Sequence, residues 1–119
     1  MFVNNFNRRI VVRGTHIHGA GASGVSFVGN PASVRNPLFE YHQTQSYSEI
    51  DKTPGPNGQD FPSECAVEDS LIHDIGVVEK QAAGVQISMS SGITVRHCSI
   101  YDVGRAGINI SEGTFGGHL

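Results

Sequence analysis

The sequence predicts an all-β fold, a parallel β-helix. Three observations carry that prediction: a column pattern that recurs three times, a repeat length in the low twenties, and small residues returning to one place in each repeat. The clearest copy runs from Ser91 to Glu112. Within it Ile93, Val95, Cys98, Ile100 and Val103 are apolar or small, mostly polar residues separate them, and Gly107-Ile108-Asn109-Ile110 closes the turn. Gaps of two, three, two and three fit neither a helical period of 3.6 nor one long strand. Short strands joined by corners fit them.

The other copies follow from this template. Val95 is followed at +3, +5 and +8 by Cys98, Ile100 and Val103, Val67 by Ser70, Ile72 and Ile75, and Val12 by Thr15, Ile17 and Ala20. Ile10, Cys65 and Ile93 stand two residues before each valine, and Gly24-Val25-Ser26-Phe27, Gly84-Val85-Gln86-Ile87 and Gly107-Ile108-Asn109-Ile110 align as a later strand. Gly21, Gly76 and Gly104 share the column at +9, which predicts a corner needing positive φ or close backbone approach. Allowing five inserted residues in the second copy, the basic turn is 23 residues, and about 32 residues are then inserted in the first interval. Such a period is the mark of a solenoid whose neighbouring turns bury a shared core. Leucine-rich repeats have a similar period, but this chain has only three leucines.

The predicted coils occupy about 10–28, 64–90 and 91–114, with an inserted loop at 29–62, all within one partial β-helix domain spanning 1–119. Met1 to Arg9 reads as a polar lead-in, the worn end of a preceding turn. The inserted loop holds all five prolines, which cannot donate to a strand ladder, and turn signals at Asn36-Pro37 and Asn57-Gly58. Phe39, Tyr41, His42, Tyr47 and Phe61 are interleaved there, so the expectation is an ordered flap rather than a solvated linker. Three turns without a recognisable cap, and Leu119 falling in the column of Ile93, predict a fragment of a longer β-helix chain. As an isolated piece it is expected to be marginally stable and to associate end to end through its open edges.

Composition excludes some functions. Eight Lys+Arg stand against eleven Asp+Glu, for a net charge of −3 without a basic run, so the footprint of a nucleic-acid binder is missing. No apolar run reaches roughly 18 residues, so no membrane span is expected. The first residues lack the apolar centre of a secretory signal. Cys65 and Cys98 fall in different inward columns, so both are expected buried and unpaired.

The chemistry-bearing residues gather at corners and in outward columns. The five-residue insertion falls within 76–83 and projects Glu79 and Lys80, and in the next coil Arg105 occupies the same corner. A surface ion pair between Arg105 and Glu79 is one reading, and a substrate-facing role is the other. His18, His73 and Tyr101 align at +6, and Ser26, Gln86 and Asn109 align in the later strand. Either row is a structural ladder or a flat hydrogen-bonding platform for a sugar chain. His16 and His18 point to one side of their strand with His73 beside them, but without metal-specific spacing, so a surface histidine row is expected and neither metal nor cofactor is assigned. Asp74 and Asp102 share the column at +7, where corner carboxylates capping the backbone are expected.

The runs Ser70-Leu71-Ile72-His73-Asp74-Ile75-Gly76, Glu79-Lys80-Gln81, Ala83-Gly84-Val85-Gln86-Ile87-Ser88, His97-Cys98-Ser99-Ile100-Tyr101-Asp102, Arg105-Ala106-Gly107-Ile108-Asn109-Ile110 and Glu112-Gly113-Thr114-Phe115-Gly116-Gly117-His118 resemble bacterial right-handed parallel β-helix repeat proteins of the pectin-lyase-like superfamily. Within that group the similarity is to β-helix glycoside hydrolases of the fucosidase and xylanase kind. The resemblance implies a secreted or cell-surface parent acting on plant or other complex polysaccharide. Glycoside hydrolysis needs two carboxyl groups flanking the scissile bond, roughly 5–10 Å apart. Glu79 and Glu112, on irregular Gly-flanked segments, are the local catalytic candidates, with further catalytic residues expected beyond the fragment. Lys80, Gln81, Arg105, Asn109 and His118 are expected to line the sugar cleft. Two alternatives stay open: a non-catalytic adhesion β-helix that binds glycans, and a polysaccharide lyase, against which the lack of a clustered Asp/Glu row for Ca²⁺ argues. A pocket bringing Glu79, Arg105 and Glu112 together under the flap would favour the enzyme.

Overall fold

Runs such as Val11-Val12-Arg13, His16-Ile17-His18 and Val25-Ser26-Phe27-Val28 place β-branched and aromatic residues at alternate positions, the pattern of strands buried on one face. In the computed structural model, which describes residues 1–111 and 113–119, these runs are strands. They are β1 (Phe2–Asn4), β2 (Val11–Arg13), β3 (His16–His18), β4 (Val25–Val28), β5 (Ala66–Glu68), β6 (Leu71–His73), β7 (Ala83–Ser88), β8 (Thr94–Arg96), β9 (Ser99–Tyr101) and β10 (Ala106–Ile110). The described residues include no α-helix, only two short 3-10 turns at Pro31–Ser33 and Tyr47–Glu49.

The strands form three parallel sheets, which the chain visits in strict rotation. The first sheet has the order β1-β4-β7-β10, the second β2-β5-β8 and the third β3-β6-β9. The register is the column alignment of the sequence: Val12 pairs with Val67 and Val67 with Val95, Ile17 with Ile72 and Ile72 with Ile100, Val25 with Val85 and Val85 with Ile108. Met1 to Arg9 supplies β1, which pairs with β4, as expected for the end of a preceding turn. This stacking of about three coils is compatible with a parallel β-helix.

The core lies between the sheets. Phe27, Ile72, Ile87, Val25, Val67 and Val85 are buried, each in register with its counterpart in the next coil, and Ile93 is buried beside them. Burial fades toward the last coil: Val25 and Val85 are fully enclosed, while Ile108 in the same column is 46% exposed. Cys65 is buried, Cys98 half-buried, and both are free thiols.

The corners depart from the sequence reading in one respect. Positive φ does not gather at the glycine column of +9, where only Gly76 adopts it, but at +2 (Gly14, Asp69, His97) and +7 (Gly19, Asp74, Asp102). Each column turns the chain out of one sheet toward the next, and Asp and His tolerate the left-handed region better than most side chains. Gly76 and Gly104 serve close approach, the other use the sequence allowed for this column, whereas a Cβ on Gly21 would meet only Val78 at 3.7 Å. A Cβ on Gly76 would lie 3.1 Å from Gly104 Cα, and one on Gly104 would lie 2.7 Å from the Lys80 carbonyl oxygen. Leu119 also differs from expectation: its N–H donates to the Ile93 carbonyl and its own carbonyl accepts from Val95 N–H, which sets it opposite Thr94, one residue past the Ile93 column.

Candidate functional site

The loop at 29–62 leaves the first sheet after β4 and returns at Phe61. Its base is clamped: Asn30 Nδ2 donates to Asp60 Oδ2 at 2.8 Å, Arg8 donates to the Phe61 and Gln59 carbonyls, and the Phe61 ring meets Phe115 edge-on at 4.7 Å. Further out, Arg35 donates to Asp51 Oδ2 at 2.7 Å and to the Gly55 and Pro56 carbonyls, while Asn36 and Asp51 exchange side-chain-to-backbone hydrogen bonds. Hydrogen bonds from the Thr53 hydroxyl and amide, then from Arg35, hold the Asp51 carboxyl at about 2 instead of 3.8. The flap is thus tied down by charge-assisted bonds, which are stronger than neutral ones.

Between this flap and the coils lies a groove of about 490 Å³, bordered by Pro31, Val34, Leu38 and Phe39 from the loop and by Met89 and Gly113 from the coils. A neighbouring space of about 360 Å³ shares Val34 and Gly113 and reaches Thr114 and Phe115. Phe39 is 71% exposed, and Leu38, Tyr41 and Tyr47 also face solvent. The size falls within the range of small-ligand sites, roughly 300–1,000 Å³, and its lining is largely apolar as such sites are. No acidic side chain lines it among the described residues.

The expected site residues are divided between the two ends of the first sheet. Glu79, Lys80 and Gln81 lie on the corner before β7, and Arg105 on the corner before β10, where its N–H donates to the Ala82 carbonyl. Glu79 Oε1 accepts from the Gln81 N–H at 2.8 Å, and no ion pair joins Glu79 to Arg105 among the described residues. Glu112 lies outside the described residues. The flap covers the opposite corner, after β4 and β7, and does not roof Glu79 and Arg105. The physical reason is strand length: β7 (Ala83–Ser88) separates the corners by six residues, close to 20 Å of extended chain.

Asn109 and His118 are engaged within the chain. Asn109 Nδ2 donates to Gln86 Oε1 at 2.9 Å, and Gln86 Nε2 donates to Ser111 Oγ at 3.0 Å, an amide ladder across the last two coils. His118 Nδ1 accepts from Ile93 N–H at 3.1 Å, which leaves the proton on Nε2 to be donated to Thr114 Oγ1. Burial pushes its ring pKa down, in keeping with a neutral ring.

Sequence reasoning passed over two features. The column at +1 holds Arg13, Glu68 and Arg96, and Glu68, 3% exposed, accepts from Arg13 Nε at 2.6 Å and from Arg96 Nε at 2.5 Å. These bonds, Arg13's first, hold its carboxyl below the usual range. Reading that column by charge would have found it. The groove lining at Val34, Leu38 and Met89 left no columnar signal. The histidine row expected from the sequence is present: His18 and His73 stack at 5.6 Å and His73 and Tyr101 at 4.9 Å, while Asp74 turns its carboxylate onto His73 rather than onto the backbone. No group of three or more His, Cys, Asp or Glu side chains is placed to enclose a metal ion among the described residues. None of their helices is long and apolar enough to cross a membrane.

No protein-family model matches the chain, and no curated protein or solved structure is significantly similar to it.

Proposed function

We propose that this chain is a stretch of right-handed parallel β-helix from a carbohydrate-active protein, and that it holds an extended saccharide at the flap corner. The right hand follows from the near-universal handedness of parallel crossover connections. The observation that carries the proposal is the groove between loop and coils, with Phe39 and Leu38 exposed at its rim. Apolar faces of sugar rings pack on such side chains, and exposed apolar patches of this kind mark binding sites. Backbone groups and Asn36 supply polar partners at the edge.

Binding without hydrolysis is the reading the geometry favours. Two carboxyl groups roughly 5–10 Å apart are required for glycoside hydrolysis, and the described groove has no acidic lining while Glu79 stands at the other corner. In this reading the protein is a secreted or surface glycan binder.

A glycan-array screen with Phe39→Ala and Glu79→Gln alongside the unaltered chain, followed by a sugar-release assay on any hit, tests this. The expected result is binding that falls at least tenfold in Phe39→Ala and is unchanged in Glu79→Gln, with no sugar released. Release of sugar that Glu112→Gln abolishes would replace the binding reading with the hydrolase.

A further inference from the structure

Away from the groove, on the third sheet, His16 of β3 and His73 of β6 point their Nε2 atoms at one another, 2.7 Å apart. Behind His73, the Asp74 carboxylate accepts from Nδ1 at 2.6 Å. That bond fixes the tautomer: with Nδ1 protonated, the neutral ring of His73 offers its Nε2 lone pair outward. A carboxylate-backed imidazole presenting a free nitrogen is the arrangement metal-ligating histidines adopt, because the carboxylate orients the ring and raises its basicity. Asp74 is held in place by its own backbone, since it occupies the positive-φ corner at φ 49° directly after β6. Stacking on His18 and Tyr101 fixes the ring plane from both sides.

We infer that His16 and His73 form a two-histidine site for a borderline transition-metal cation of the Zn²⁺ or Ni²⁺ type. Imidazole nitrogen suits these ions, whereas Ca²⁺ and Mg²⁺ take oxygen ligands. Tetrahedral coordination with bonds near 2.0–2.1 Å sets two nitrogens about 3.3 Å apart, so the pair opens by roughly 0.6 Å from its present 2.7 Å. The proton now shared between the two Nε2 atoms moves to His16 Nδ1, no net proton is lost, and both rings ligate as neutral imidazoles. With no third protein ligand converging on the pair among the described residues, water completes the shell. The ion would bridge the first and second coils across 57 residues of chain, and so would stabilise the coil junction that the long insertion interrupts.

Calorimetric titration of the whole chain with ZnCl2, and separately with CaCl2, tests the site, with a thermal melt as a second readout. Expected are one saturable Zn²⁺ site, no Ca²⁺ site, and a Zn²⁺-dependent rise in Tm. Binding and the rise in Tm are both lost in His16→Ala, His16→Gln and His73→Ala, retained in His18→Ala, and weakened about 10- to 100-fold in Asp74→Asn. Circular dichroism of each variant shows whether the strands remain; His16 is exposed, and His16→Gln keeps a polar side chain there. The absence of saturable Zn²⁺ binding, or affinity unchanged in a His16→Ala/His73→Ala double variant, would overturn the inference.

Discussion

The two corners flanking the first sheet are built from the same strands and differ in almost everything else. At the corner before β7 and β10, coil lies directly on coil: Gly76 meets Gly104, Gly104 meets the Lys80 carbonyl, and the charged side chains of Glu79, Lys80 and Arg105 fan into solvent. At the opposite corner one coil carries the loop at 29–62 while its neighbours turn tightly, and the mismatch leaves a groove. Charge marked the first corner in the sequence, yet the groove of about 490 Å³ lies at the other. Where coils stack, a difference in corner length between neighbours opens a groove, and a cluster of charges does not.

The comparison is broken most severely by removing what seats the flap. Phe61 is buried and packs edge-on against Phe115; Phe61→Ala is expected to cost about 4 kcal/mol in urea unfolding and to abolish the glycan binding proposed above. Gly29→Ala strikes the same hinge, because the added Cβ would lie 2.1 Å from the Met89 carbonyl oxygen and 2.7 Å from Phe61 Cβ. A loss of about 3 kcal/mol is expected. Gly104→Ala at the charged corner, where the added Cβ would lie 2.7 Å from the Lys80 carbonyl oxygen, is expected to cost about 2 kcal/mol.

Smaller effects follow from the acidic groups. Glu68 has its carboxyl held down by Arg13 and Arg96, so its contribution to stability is complete above the ordinary carboxylate range and is lost as pH falls through the lowered value. Glu68→Gln should therefore lower Tm at neutral pH and flatten the acid limb of a Tm-against-pH curve. Asp51 behaves in the same sense within the flap: the stability it supplies is present above 3.8 and disappears as pH falls toward 2. The Thr53 amide resonance should titrate in that window and cease to do so in Asp51→Asn. Least of all is expected from Glu79→Gln, within about 0.5 kcal/mol of the unaltered chain, because its carboxylate serves only a local bond to Gln81 N–H.

These contrasts also show what the sequence could carry. Inward columns were legible because stacked positions must be apolar in every coil, so Val12, Val67 and Val95 align by simple offset and pair as expected. The same offsets placed His18 beside His73 and Gln86 beside Asn109. Corner geometry was less legible, since left-handed positions are filled by Gly14, Asp69 and His97, three residues with no shared polarity. The groove was not legible at all. Its wall depends on how Val34 and Leu38 fold back over Met89 and Gly113, contacts between segments more than 50 residues apart in the chain that no periodicity encodes.

The most direct measurement is an amide NMR titration of the chain with a mixture of oligosaccharides from complex plant polysaccharide. The account expects shifts at Val34, Leu38, Phe39, Met89 and Gly113, with Lys80, Gln81 and Arg105 unmoved. Shifts confined to Glu79, Lys80, Gln81 and Arg105 would contradict it and return the site to the charged corner.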